Sequence, residues 1–485
     1  MKTFYITTPI YYANGSPHLG HFLTTSVADA LARYYRQELG EENVFFTTGL
    51  DEHGTNVEQS AKKEGYSNIQ EYVDRRFNEW KKMFDVSQIS YDYFVRTTNP
   101  KHKDFVKKFI STLVDNGDVY KAKYKGKYCN GCEKFLTKSD LDERGLCPLH
   151  RPDQVVEVEE ENYFFKLSKY APKVAELLQK NSLRILPDNK KKEILSRINQ
   201  GVEDISISRP KEKISWGIEF PNDSNQVIYV WVEALLNYLS SLHINKKEIF
   251  WEGQTTHLLG KDISWFHNVI WPSLLLSAKK PLFKESFVHS FLKVAGQKMS
   301  KSLGNVITPQ DLISRYGLDG ARFLILSSLP YKNDSDVTMD YFDEKYSAVL
   351  SNGLGNLISR ITKLCENTSK EYYLSLGGSL KTQEQLKSKI KDLIKDYKLN
   401  EITLLLEEQI NFLDKEIQTV KPWENLEESQ EFLQGVLLHI LFLLHTFNFI
   451  LPQTSKKVFA HFNFTREQDK KSKIKHLTGL FPRLS

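Results

Sequence analysis

Pro9-Ile10-Tyr11-Tyr12-Ala13-Asn14-Gly15-Ser16-Pro17-His18-Leu19-Gly20-His21 follows a β-branched and aromatic run, Phe4 to Thr8, and enters a long helical pattern, Leu19 to Leu39. A strand that turns directly into a helix leaves unpaired N–H groups and the positive end of the helix dipole at the junction, which favours an anion such as phosphate. His18 and His21 are three apart and share one helical face, and Gly20 between them lets a bulky group approach the backbone. Read alone, the segment is as well explained by a pair of satisfied histidines at a helix start.

Outward from this junction the pattern continues with a third apolar run, Val44 to Thr47, the alternation of a parallel α/β sheet. From Asp118 to Asp223 it gives way to Gly, Cys, Lys and acidic residues, including the run Glu157 to Glu161, which reads as an insertion. Strand candidates then resume at Val227–Trp231, Thr255–Gly260 and Ser286–Leu292. Beyond Ser351, Leu, Ile, Lys and Glu recur at helical spacing. The predicted fold class is therefore α/β. A Rossmann-like parallel-sheet domain occupies 1–117 and 226–305 and is split by an insertion at 118–225. A linker follows at 306–352, then an all-α helical bundle at 353–485.

Composition sets the broad class. A chain of 485 residues exceeds what one core supports, and 40% apolar residues with 66 basic against 61 acidic side chains describe an ordinary globular protein of several units. The net charge of +5 does not diagnose nucleic-acid binding, although Lys470, Lys471, Lys473 and Lys475 form either a phosphate contact or a solvated face. The most apolar stretch, Val436 to Leu451, carries His439, His445, Thr446 and Asn448, so a buried helix is expected rather than a membrane span. The strand-like run from Thr3, with no charged leader before it, points to a cytoplasmic protein.

Cys129-Asn130-Gly131-Cys132 and Cys147-Pro148-Leu149-His150 have the spacing of a tetrahedral Cys₃His zinc site built from two tight turns at 129–150. A redox C-x-x-C would leave Cys147 and His150 without a purpose. Four protein ligands close the coordination sphere, so the expected Zn²⁺ is structural. Cys365 reads as helix core.

Lys298-Met299-Ser300-Lys301-Ser302-Leu303-Gly304-Asn305 is a basic, hydroxyl-bearing loop suited to gripping a polyphosphate, and on its own it could equally be a surface loop. In this order, the histidine segment and the lysine loop resemble the signature pair of class I aminoacyl-tRNA synthetases, their HIGH and KMSKS motifs. The resemblance implies in-line attack of an amino-acid carboxylate on the α-phosphorus of ATP, with pyrophosphate leaving. The catalytic groups would be His18, His21, Lys298 and Lys301. Tyr12, Asn14, Gly15 and Gly20 would lie along the nucleotide, and Gly260-Lys261-Asp262 would place Asp262 at the ribose, with Mg²⁺ on the triphosphate.

Tyr12-Ala13-Asn14-Gly15, Gly49-Leu50-Asp51-Glu52-His53-Gly54-Thr55, Tyr229-Val230-Trp231 and Phe266-His267-Asn268-Val269-Ile270-Trp271 narrow the resemblance to the methionyl-tRNA synthetase family. By that resemblance Ile10, Tyr12, Trp231, Ala234, Leu235, Tyr238, Ile263, His267 and Trp271 enclose the thioether of L-methionine, and Asp51 holds its ammonium. A polarizable thioether gains from sulfur–aromatic contact, whereas branched side chains would meet an aromatic wall. Without the motifs, Trp231, Tyr238 and Trp271 would read as core aromatics. Glu233 departs from the aspartate more often found there and is left outside the predicted site. The insertion is too short for a large editing domain.

The cysteine knuckle also matches this family. Asn352 to Arg360 and Lys421-Pro422-Trp423 resemble its anticodon-reading elements, which implies tRNA(Met) as a partner, with Trp423 stacking and Asn356 and Arg360 bonding to base edges. Taken singly, Asn356 would cap or pack, Arg360 would pair with a carboxylate and Trp423 would fill the bundle. The end of the chain soon after Leu484, with no appended OB-like module, predicts a monomer. A small-molecule nucleotidyltransferase also places H-x-G-H at a first helix, but needs neither knuckle nor bundle. A noncatalytic tRNA-binding relative would not need His18, His21, Lys298 and Lys301 together.

Overall fold

The computed structural model describes residues 2–484 apart from 132, 137–139, 149–150, 295, 299–306, 377–380 and 466–468; Lys134, Gln297 and Lys298 are described by their backbone. Two compact units result, one from Met1–Ser16, Leu39–Asp85 and Ser90–His289, the other from Pro17–Glu38, Val86–Ile89 and Ser290–Ser485.

The first unit is built on six strands: β1 (Phe4–Tyr12), β2 (Val44–Asp51), β3 (Tyr93–Arg96), β4 (Arg184–Leu186), β5 (Gln254–Gly260) and β6 (Glu285–His289). They form one parallel sheet in the order β3-β2-β1-β5-β6-β4. All eight residues of β2 are buried, as expected of a strand covered on both faces. Strand order reverses at β1, so the crevice where an α/β sheet binds its ligands falls at the carboxyl ends of β1 and β5.

Two sequence expectations change here. Val227–Trp231 is not one strand. Asp223–Ile228 pairs antiparallel in a separate three-stranded sheet, and a helix, Val230–Leu235, begins directly after Tyr229. Ser286–Leu292 likewise breaks, because β6 ends at His289 and Leu292–Val294 joins another sheet with Ser335–Val337. The segment read as an insertion also returns a strand to the core. Its β4 pairs with β6, Ser286 opposite Ile185, flanked by helices Leu167–Gln179 and Asp188–Asn199.

The rest of that segment is a long antiparallel ribbon of Val119–Cys129 and Val155–Phe165. Its register sets Lys123 opposite Glu161, Lys125 opposite Glu159 and Lys127 opposite Glu157. The acidic run noticed in the sequence is thus one half of a cross-strand charge ladder.

The second unit is mostly helical, with Asn356–Asn367, Lys381–Lys395, Leu399–Val420, Gln430–Thr446 and Pro452–His461 after Ser351. Among the described residues no helix is long and apolar enough to cross a membrane. Helix Pro309–Ser327 opens on a capping box formed by Thr308 and Asp311. Further along it, Arg322 is fully buried, pairs with buried Asp29 at 2.5 Å and donates to the carbonyls of Phe449 at 2.9 Å and Ile450 at 3.3 Å. One turn earlier, the Asp319 carboxylate accepts the N–H groups of Gln453 and Thr454 and so caps helix Pro452–His461.

Arg322→Met takes one cationic partner from buried Asp29, which keeps its ion pair with Arg33 at 2.7 Å, and removes the donor to the carbonyls of Phe449 and Ile450. It is therefore expected to lower the unfolding free energy of this unit by about 1.5–3 kcal/mol in urea titration.

Candidate active site

The end of β1 decides where the pocket side chains go. Register with β2 shifts between Thr7 and Ile10, around Pro9, which has no N–H for the ladder, and then runs on to Tyr12 opposite Asp51. Ile10 and Tyr12 consequently share one face. Tyr11 lies on the other, buried and stacked on Trp80 at 5.1 Å.

Tyr12 meets Trp231 edge-on at 5.7 Å, and Trp231 stacks on Phe266 at 4.4 Å. Helix Val230–Leu235 places Trp231, Ala234 and Leu235 at i, i+3 and i+4, on one face. Tyr238 and Trp271 are fully buried with ring centroids 6.2 Å apart, and the half-buried Ile263 packs against the same core. Of the residues expected to enclose methionine, Tyr12 and Trp231 thus meet within the first unit, and Tyr238, Ile263, His267 and Trp271 pack in its core.

Hydrogen bonds fix the protonation of His267. Its Nδ1 lies 3.0 Å from the Ile263 carbonyl, which can only accept, so Nδ1 carries the proton and Nε2 accepts from the Tyr238 hydroxyl at 2.7 Å. Burial pushes His267 down to about 4, which keeps the ring neutral at pH 7. The turn behind it is a π-helical segment, Phe266–Ile270, followed by Pro272, whose missing N–H suits the irregular turn.

Asp51 is buried at the end of β2, and its Oδ1 has no hydrogen-bond partner among the described residues. Burial, then the nearby carboxylates of Glu233 and Glu133, hold its carboxyl well above the usual range. Neither of these acids belonged to the predicted site. Glu233, fully buried, hydrogen-bonds the Nδ1 of His53, and burial favours the neutral forms of both. His53, Glu133, Arg209, Trp216, Tyr229 and Glu233 line a cleft in the first unit. Arg209 lies over the Tyr229 ring at 4.3 Å and donates to the Ser206 hydroxyl and the Ser208 carbonyl, both at 2.7 Å. No spacing in the sequence marks these residues as a group, since they are joined only by folding.

The remaining nucleotide candidates of this unit are not among the residues that line that cleft. Asn14 is exposed, and Gly15 accepts the Trp80 indole N–H at 3.0 Å. Asp262 is exposed, with its carboxylate folded over Gly260, where a Cβ would lie 2.7 Å from Oδ1.

The two signature histidines lie in the second unit. Their rings stack at 3.7 Å, and the Nδ1 of each accepts a backbone N–H: His18 from Gly20 at 3.1 Å, His21 from His18 at 3.2 Å. In the neutral rings the proton must then sit on Nε2, as a donor. Burial and the neighbouring His18 hold His21 well below the ordinary histidine value. Lys298 closes a short hairpin in its backbone, and Lys301 lies outside the described residues.

Of the four residues expected from the sequence to bind zinc, Cys129 and Cys147 are buried together in a small cluster with Leu136, while Cys132 and His150 lie outside the described residues. Cys129 ends its ribbon strand, and the second turn is tied by Asp142, whose carboxylate accepts the N–H groups of Arg144 and Leu146. In the helical region Asn356 is exposed, Arg360 pairs with Asp414 at 2.6 Å, and Trp423 is 43% exposed rather than core.

A parallel sheet reversing at β1 and a histidine pair at the start of the following helix define a class, and the chain matches the family described as "tRNA synthetases class I (M)" over residues 4–157 and 152–362. It is 38% identical to the methionine–tRNA ligase of Thermotoga maritima, over 96% of this chain and 76% of that one. Identity to the enzyme of Campylobacter jejuni is also 38%, over 95% and 75%. Among solved structures it superposes on the Mycobacterium tuberculosis methionyl-tRNA synthetase in complex with methionyl-adenylate with a TM-score of 0.89 and 28% identity, covering both chains fully. The chain belongs to the methionine–tRNA ligase family.

Long-range ¹⁵N–¹H correlation spectra are expected to show the Nε2–H form for His18 and His21 and the Nδ1–H form for His267. The opposite form at any one would mean that its hydrogen bonding differs from that described here.

Proposed function

We propose that this chain is a methionine–tRNA ligase: it activates L-methionine with ATP to methionyl-adenylate, releasing pyrophosphate, and then transfers methionine to tRNA(Met). The observation that carries the reading is the buried, unpartnered Asp51 Oδ1 beside an aromatic pocket. A carboxylate oxygen buried without a partner is costly, and a substrate ammonium would offset that cost. Tyr12, Trp231, Tyr238 and Trp271, with Ile10, Ala234, Leu235 and Ile263, would enclose the thioether. His267, neutral and held by Tyr238, would present a fixed wall without a competing charge.

Activation needs no side-chain nucleophile, because the substrate carboxylate attacks the α-phosphorus. The chain's task is to position the reactants and to stabilise charge as it develops on the phosphate oxygens. His18 and His21, each with Nδ1 committed to a backbone N–H, would offer Nε2–H donors to the phosphates. Lys298 and Lys301 would close over the pyrophosphate, and Tyr12, Asn14, Gly15, Gly20, Gly260 and Asp262 would line the nucleotide. Mg²⁺ entering with ATP would spread the charge of the leaving group. Exposed Trp423 supports stacking with an anticodon base, and Asn356 and Arg360 would bond to base edges. A cytoplasmic location fits this activity.

Amino-acid-dependent exchange of labelled pyrophosphate into ATP is expected with methionine and with no other standard amino acid, and exchange with another amino acid would overturn the specificity. The same assay tests Asp51. Because its carboxyl sits above the usual range and a bound ammonium favours the charged form, methionine binding releases a proton. The KM for methionine should then rise as pH falls below that free-pocket value, by up to about tenfold per pH unit, and Asp51→Asn should weaken binding and flatten the profile.

Zn²⁺ is the metal we propose for Cys129, Cys132, Cys147 and His150. The two described thiols share a cluster of few apolar residues, too small a core to hold its turns unaided. Metal analysis of the purified protein should give one zinc per chain, and chelation should lower the thermal unfolding temperature, whereas metal-free protein of unchanged stability would refute the site.

A further inference from the structure

Glu133 directly follows Cys132 in sequence, yet its side chain serves the pocket. It closes the turn begun by Asn130, donating its N–H to the Asn130 carbonyl at 3.2 Å, and takes a φ of +52°, a region non-glycine residues seldom occupy. Its carboxylate is 2% exposed, and both oxygens are used. Oε1 accepts the Asn56 N–H at 2.7 Å in the first turn of helix Thr55–Lys63, where the helix dipole favours an anion, and Oε2 accepts the Tyr12 hydroxyl at 3.1 Å. Gly54, at a φ of +95°, leaves room for it, since a Cβ there would lie 3.2 Å from Oε1. One side chain thus ties three segments distant in sequence: the knuckle turn, the start of a helix and the end of β1.

We propose that Glu133 is a positioning residue of the amino-acid pocket: through the hydrogen bond to the Tyr12 hydroxyl it holds that ring against Trp231, so that the knuckle turn sets the affinity for methionine. This rests on the reading of the aromatic pocket around Tyr12 and Trp231 as the methionine site. Tyr12 turns about its χ angles unless something fixes its far end, and the hydroxyl is the only polar handle it has. A buried carboxylate that is itself held by a helix N-terminus is a rigid acceptor, so the orientation passes from the backbone of Asn56, through Glu133, to the ring. Sequence reading passed over Glu133 because it lies beside a metal motif and far in sequence from Tyr12.

The test is the dissociation constant of methionine for the full-length protein, read from intrinsic tryptophan fluorescence, for wild type, Tyr12→Phe, Glu133→Ala, Glu133→Gln and the paired variants. Tyr12→Phe and Glu133→Ala are each expected to weaken methionine about tenfold, as for one hydrogen bond to a charged acceptor, and Glu133→Ala is expected to leave the KM for ATP unchanged. The pair should bind no more weakly than the worse single variant. Glu133→Gln, which keeps the volume and an acceptor for Asn56, should fall between wild type and Glu133→Ala, and its loss should vanish in the Tyr12→Phe background. It supplies the decisive arm if Glu133→Ala does not fold. Additive losses, or Glu133 variants that bind like wild type while Tyr12→Phe is weakened, would overturn the role of Glu133 alone. No methionine-dependent signal in the wild type, together with no methionine-dependent exchange, would overturn the pocket reading and this proposal together.

Discussion

Much of the site follows from where the ladder of β1 stops. Its pairing with β5 runs only from Phe4–Gln254 to Thr7–His257, while β5 stays paired with β6 as far as Gly260. On its other side β1 breaks register around Pro9 and then runs on beside β2 to Asp51. The sheet therefore divides at its carboxyl edge between β1 and β5, and a missing N–H begins the division. Ile10 and Tyr12 turn to one face of that division and Tyr11 to the other, where Trp80 receives it. The same irregularity brings Tyr12 to Trp231 and to Glu133.

Charge in the first unit is arranged around this opening. Asp51, Glu133 and Glu233 are all buried, and each carboxyl is pushed up by its burial. They differ in how they are satisfied: Glu133 has both oxygens bonded, to Tyr12 and to a helix start, Glu233 gives Oε1 to His53, and among the described residues Glu233 Oε2 and Asp51 Oδ1 are left over. The histidines nearby go the other way. His53 and His102 are held down to about 3 and His267 to about 4, so they serve as neutral hydrogen-bonding walls. A cation entering such a cleft meets acceptors and neutral histidines, while the Arg209 guanidinium in its lining is engaged by the Tyr229 ring, Ser206 and Ser208.

The parts legible in the sequence are those carried by contiguous residues. β1, β2 and β5 read as apolar runs because a parallel strand is covered on both faces, and the histidine segment reads because a strand-to-helix junction needs its special residues in order. Val227–Trp231 misled because β-branched and aromatic residues suit a strand and a buried helix start equally, and only the turn at Tyr229 separates them. β4 gave no signal at all: Arg-Ile-Leu is three residues long and followed closely by the lysine run Lys190 to Lys192, and it becomes a strand by docking on β6. Glu133, His53 and Glu233 were missed for a related reason. Their partners lie between 77 and 180 residues away in sequence, beyond the reach of any local pattern. Glu233 was set aside for departing from aspartate, and the fold gives the longer side chain a specific partner in His53.

The Lys–Glu ladder of the ribbon cannot set its own alignment. Shifting one strand by two residues would put Lys125 opposite Glu161 and Lys127 opposite Glu159, still cation to anion, because the charges repeat with the pleat itself. What breaks that degeneracy is at the ends: Phe164 and Phe165 are buried at one, and at the other the Asn130 N–H meets the Gln154 carbonyl at 2.8 Å and Lys127 Nζ meets the Gly145 carbonyl at 2.8 Å. The ribbon behaves as a vernier whose teeth mesh in several positions and whose zero is set by the cysteine turns at its tip. Those turns fix the alignment of eleven paired residues as well as their own shape.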